Sequence, residues 1–271
     1  MLTGINKINL IGEQEMIPLT TYIDAWFATK SMGKKIQEQK DGVREMEQLL
    51  LERFPNPVIG PFDEFPNYPA ILSEYKKNLS QSKPTENSIF VFGDSIANQL
   101  RTWGSWLVDP NFNFSYPGMW AHHIAQMIVD IGAACAAMSF SPSVILIGTT
   151  GGNNLLNRQE INATVEQVKG MLNLARHTFP KSKLIIYGLP QTIVAYLIEN
   201  KPRMNVEAMI FMMNDGNTVF LKLEDGFVAD KHVLPLADES KDGVHFTPLG
   251  IMKFCSKIQK GIKAVSGAVI Y

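Results

Sequence analysis

Hydrophobic positions change their period several times along the chain, and each change marks an element. From Gln37 to Phe54 the apolar residues Val43, Met46, Leu49, Leu50 and Phe54 recur at helical spacing among Lys, Arg and Glu, which predicts an amphipathic helix. The segment PNPVIGPFDEFPNYP, Pro55 to Pro69, then removes N–H donors and fixes φ at five positions, so it reads as irregular chain over a surface or between two units. Residues 1–85 are therefore read as an N-terminal extension, partly helical with a proline-rich linker, and residues 86–271 as the main domain.

Beyond residue 86, short apolar runs alternate with helical stripes. SIFVF (Ser88 to Phe92), NFNFSY (Asn111 to Tyr116), SVILIG (Ser143 to Gly148), KLIIYG (Lys183 to Gly188) and TVFLKL (Thr218 to Leu223) read as strands. Between them lie a helix starting just after Asp94 or Ser95, one marked by Ile124, Met127, Ile128 and Ile131, and one marked by Ile161, Val165, Val168, Leu172 and Ala175. Met204 to Met213 predicts a further helix, and Ile251, Phe254, Cys255, Ile258 and Ile262 form the last stripe. Strands buried on two sides and separated by helices imply a parallel sheet covered on both faces, an α/β class three-layer α/β/α sandwich. Ligand sites in such sheets lie at the carboxyl ends of the strands.

Composition narrows the function classes. The chain of 271 residues carries a formal net charge of -1 with 45% hydrophobic and 19% charged residues, which gives no electrostatic reason to expect nucleic acid. The two cysteines, Cys135 and Cys255, stand in apolar stretches and read as buried thiols. No apolar run approaches the roughly 20 residues of a membrane span, so no integral membrane segment is expected. Glu13, Glu15 and Asp24 interrupt the first 30 residues, no export signal is visible, and a cytoplasmic location is expected of the chain as written.

Candidate chemistry begins where the first strand of the main domain turns into a helix, at Gly93, Asp94 and Ser95. A hydroxyl there sits near unpaired helix N–H groups that can stabilise an anion, although Asp and Ser are also ordinary helix starters. Near the other end, KDGVHFTPLG sets Asp242 and His245 three apart just before the last helix. A serine needs a base, and a carboxylate bound to the other ring nitrogen fixes the tautomer of that base.

VFGDSIANQL resembles the Gly-Asp-Ser block that opens SGNH (GDSL-type) hydrolases, and DGVHFTPLG resembles their closing Asp-x-x-His block. Between them SYPGMW, with Gly118, and GTTGGNNLL, with Gly151 and Asn153, stand where the family has its second and third blocks. The resemblance spans residues 88–265. It implies a flavodoxin-like sandwich with a five-stranded parallel sheet, no cofactor and no metal. It implies Ser95 as nucleophile, His245 as base and Asp242 as its orienting carboxylate, with the oxyanion held by the Ser95 and Gly118 N–H groups and the Asn153 amide. Thr149 and Thr150 are extra in the third block and Asn154 stands where an aspartate often follows, so Asn154 is an alternative oxyanion donor. Asp94 is expected to serve structurally, accepting local N–H bonds.

The implied activity is hydrolysis of a small-molecule, carbohydrate or lipid ester by a serine esterase or lipase, with a small acyl group favoured. Alternatives are O-acyl transfer to a carbohydrate hydroxyl and a non-catalytic binding protein of the same fold. His122 and His123 lie early in the helix after Gly118 and read as surface or packing residues or as residues facing the site, and Trp103, Trp106 and Trp120 read as core packing or as walls of an acyl pocket.

Overall fold

The computed structural model of the protein describes residues 16–19, 65, 67–148, 151–190, 192, 194–213, 215–221, 223 and 244–266. The helix expected between Gln37 and Phe54, and Asp242, lie outside these residues. Strand β1 (Met16–Leu19) is followed by helix α1 (Tyr68–Ser82), β2 (Ile89–Phe92), α2 (Ser95–Trp103), α3 (Ala121–Ala137), β3 (Val144–Ile147) and α4 (Gly152–Leu156). Then come α5 (Ile161–Thr178), β4 (Lys183–Tyr187), α6 (Ala195–Met212), β5 (Thr218–Leu221) and α7 (Pro248–Ser266).

The sheet order is β1-β5-β4-β3-β2. Strands β2 to β5 are parallel, in register Ile89 with Val144, Val144 with Lys183 and Leu184 with Thr218. Continuous apolar runs are what parallel strands need, because helices cover both faces. On one face the Tyr187 ring meets Phe254 of α7 edge-on at 4.8 Å, and Gly261 lets α7 approach Leu221 and Ile185. On the other, α3 packs on α5, and Gly132 is required there because a Cβ would stand 2.1 Å from Thr178 Cγ2. The chain is thus a three-layer α/β sandwich.

The parallel sheet has four strands where five were expected. NFNFSY is not a full strand: Pro110–Phe112 forms a 3-10 turn capped by Asp109, and Asn113 makes one isolated bridge to Val91. The alternation that suggested a strand is real, since Phe112 and Phe114 are buried, but the turn at Pro110 brings the chain to the edge too late to build a ladder. Only Phe114 N–H and Tyr116 N–H reach β2 and its continuation, donating to Val91 and Gly93 carbonyls. At the opposite edge the fifth strand is β1, antiparallel to β5.

Two further corrections concern prolines. The stretch expected to stay irregular to Pro69 ends in the first turn of α1, where proline costs no hydrogen bond. Helix α6 starts at Ala195 rather than Met204 and contains Pro202. Helix α1 turns Tyr68, Ile71, Tyr75 and Leu79 inward, into the same core as the sheet. Among the described residues, no helix is long and apolar enough to cross a membrane, and both cysteines are free and buried.

At the amino-terminal edge of the parallel strands, Arg176 of α5 gathers the turns that enter β4 and β5. It donates to Asp215 Oδ2 at 2.6 Å, to the Ser182 carbonyl at 2.8 Å and to Thr218 Oγ1 at 3.0 Å. Arg176→Ala removes these donors and leaves Asp215 without its cation, and is expected to destabilise the fold by about 2–3 kcal/mol in urea denaturation.

Candidate functional site

Ser95 opens α2 at the carboxyl end of β2. Asp94 is the N-cap residue: it is almost fully buried, and its Oδ1 accepts the Ile96 N–H at 3.0 Å. Gly93 allows strand and helix to join this tightly, since a Cβ there would stand 2.6 Å from Ala97 Cβ. Ser95, half-buried, lies in the first turn, whose N–H groups have no helical acceptor.

Ser95, Asn153 and His245 line one cavity of about 280 Å³. Its apolar wall is made by Ile96, Leu156, Leu189, Leu197 and Val244. Asp242 lies outside the described residues, and the cavity lining does not include Gly118 or the tryptophans. Trp103 and Trp106 are 50% and 61% exposed.

His245 is reached from the far end of the chain by a contact the sequence did not suggest. Gln99, one turn after Ser95 on α2, donates from Nε2 to the Phe246 carbonyl at 3.0 Å and accepts the Phe246 N–H on Oε1 at 3.3 Å. The residue after His245 is thereby fastened to the helix that begins with Ser95.

The two asparagines of the third block divide sharply. Gly151, at φ 81°, is the N-cap of α4, and a Cβ there would stand 2.6 Å from Thr164 Cγ2. Asn153 faces the cavity and gives one amide hydrogen to the Met119 carbonyl at 2.8 Å, leaving its second for a ligand. Asn154, the next residue and wholly buried at 0%, uses its amide fully: Oδ1 accepts the Ala121 N–H at 2.9 Å, and Nδ2 donates to Gln159 Oε1 at 2.5 Å and Gln167 Oε1 at 2.7 Å.

Gly118 is exposed, at φ 84°, with open space where a Cβ would stand. Its loop is tied on several sides. Asn113 donates to the Ala97 carbonyl at 2.9 Å and accepts the Ser115 N–H at 3.1 Å, Arg101 donates to the Asn113 carbonyl, and the Tyr75 hydroxyl of α1 donates to the Ser115 carbonyl at 2.7 Å. The loop ends at Trp120, whose N–H donates to His123 Nδ1 at 3.1 Å.

His122 and His123 are buried packing residues outside the cavity lining. Their rings stand 3.7 Å apart, and Phe65 lies 4.7 Å from His123. Burial pushes His123 down to about 4, and burial with the charge of its neighbour pushes His122 down to about 2. Both are neutral in the fold at neutral pH, as the bond accepted by His123 requires. Because folded values lie below the ordinary histidine value of 6.5, the unfolded chain binds more protons in the interval, and stability contributed above 6.5 is lost as pH falls toward 4. His123→Asn, which keeps an acceptor without titrating, is expected to flatten this acid slope by about one proton in urea denaturation followed from pH 7 to pH 4.

No family model and no curated protein matches the chain. Solved structures do. A carbohydrate esterase family 3 protein from Talaromyces cellulolyticus superposes with a TM-score of 0.50 at 16% identity, over 68% of this chain and 100% of that one. A family 3 carbohydrate esterase from Clostridium thermocellum superposes with a TM-score of 0.50 at 16% identity, over 67% and 98%. At such identities the likeness concerns architecture, and with the parallel sheet and the order of its blocks it gives the chain an SGNH hydrolase-like fold.

Proposed function

We propose that the protein is a serine hydrolase of carboxylic esters. The observation that carries this reading is the meeting of Ser95, His245 and Asn153, from three distant stretches of sequence, around one cavity at the carboxyl edge of the sheet. Ser95 Oγ attacks the ester carbonyl carbon while His245 takes the hydroxyl proton, and the carbonyl π pair moves onto oxygen. The Ser95 N–H and the second Asn153 amide hydrogen receive that oxyanion, and the Gly118 N–H, outside the cavity lining but one residue before the Met119 carbonyl that Asn153 binds, is assigned as the third donor. Collapse expels the alkoxide, which takes the proton from His245 and leaves acyl-Ser95. Water, deprotonated by His245, then attacks the acyl carbon, and a second collapse frees the acid as Ser95 recovers its proton. Asp242, three residues before His245, is assigned to orient the imidazole.

The wall of the cavity bears on the substrate. Leu156, Leu189 and Leu197 offer no partner for sugar hydroxyls, which would lose hydrogen bonds to water on entering. The group that enters is therefore assigned as the acyl chain, with the alcohol left outside, and the family 3 carbohydrate esterases of like fold make a carbohydrate alcohol the first one to try. A cavity of about 280 Å³ lies just under the roughly 300–1,000 Å³ that holds drug-sized ligands, which favours a short acyl group over a long one.

Across p-nitrophenyl esters from acetate to palmitate, hydrolysis is expected to favour the short acyl chains over the long ones, given the cavity size, and to vanish in Ser95→Ala. Activity that survives in Ser95→Ala overturns the assignment of the nucleophile. Asn153→Ala is expected to lower kcat by about 10² to 10³ without loss of fold, as removal of an oxyanion donor does, and wild-type kcat in that variant removes Asn153 from the oxyanion site.

A further inference from the structure

We propose that Gln99 is a positioning residue that fixes His245 against Ser95, an inference that rests on the hydrolase reading above. Ser95 and Gln99 stand four residues apart on α2, so they share a face one turn apart. Across 147 positions of sequence, the Gln99 amide meets the Phe246 peptide as one strand meets another, giving one hydrogen bond and taking one. Two bonds to one peptide fix its rotation as well as its distance, and Phe246 is the residue after His245. On its other side Phe246 is anchored in the core, its ring 5.5 Å from Phe254 of α7. Helix α7 starts only at Pro248, so the clamp holds the short stretch of chain before that helix takes over.

The consequence is mechanical. A base must lie within about 2.6–3.2 Å of the hydroxyl it deprotonates, and a displacement near 1 Å costs on the order of 10²-fold in rate. Gln99 reaches neither substrate nor imidazole in this role: it is uncharged and acts through the Phe246 backbone. Serine and base are thus referenced to the same helix, whatever the rest of the chain between them does.

Gln99→Met keeps length and bulk while removing both bonds. In that variant kcat for ester hydrolysis and the rate at which a fluorophosphonate labels Ser95 are expected to fall on the order of 10- to 100-fold, with KM within about twofold. The His245 ring signal in a proton–carbon NMR spectrum is expected to broaden or split, a change that simple loss of stability would not confine to that residue. Gln126→Met, which removes a bond of similar kind to Asp130 on α3, is the control expected to leave both readouts unchanged. If Gln99→Met does not fold, Gln99→Leu, which also removes both bonds without adding charge, is expected to give the same changes. Wild-type labelling and an unchanged His245 signal in the folded variant overturn the clamp. If the wild-type protein itself neither labels nor hydrolyses, the hydrolase reading falls, and the His245 signal alone then decides the clamp, an unchanged one overturning it.

Discussion

The site rests on one buried amide. Asn154 has no access to solvent and makes three hydrogen bonds, to the first peptide of α3, to Gln159 after α4 and to Gln167 on α5. A buried amide left without partners costs more than its bonds contribute, so such a hub admits few arrangements of the elements around it. The start of α3 and the start of α4 are locked together, and the loop of Gly118 runs directly into the first of them. Asn153 completes the lock by binding the Met119 carbonyl. A carboxylate at position 154 would offer no N–H to either glutamine, which gives the amide at this position a physical reason.

The same loop is held from behind by α1. Tyr75 binds the Ser115 carbonyl and stands under the Arg101 guanidinium at 4.8 Å, and Tyr68 binds Asp130 on α3 at 2.8 Å. Burial pushes the Tyr75 hydroxyl up to about 12, so it remains a donor over the whole working range of pH. A helix that precedes the Gly-Asp-Ser block in sequence therefore supports the backbone on which the second block depends.

The sheet was legible because strands buried on both faces must be apolar throughout, and SVILIG and KLIIYG have no other reading. NFNFSY misled for a related reason: its phenylalanines pack onto β2 with a strand's alternation, while the backbone pairing that defines a strand depends on the turn before it. Helix α1 carried a readable stripe in Tyr68, Ile71, Tyr75 and Leu79, hidden by the prolines that precede it. Strand β1, at MIPL, is a short run with a proline at the sheet edge, where no periodicity can speak. Gln99 left no trace, since a side chain bonded to a peptide 147 residues away has no signature in spacing.

The division between Asn153 and Asn154 depends on the same limit. Successive residues of a helix point about 100° apart, so one of two adjacent asparagines can face the cavity while the next faces the core. Which does which is set by where the helix begins, and that is fixed by Gly151, whose left-handed φ and contact with Thr164 exclude a side chain. Neither fact can be read from GTTGGNN, where two glycines offer themselves as the cap. Once Gly151 holds that position, the deeper amide builds the scaffold and the outer one keeps a hydrogen to spare. The proposed oxyanion donor is thus the asparagine that the fold does not fully consume.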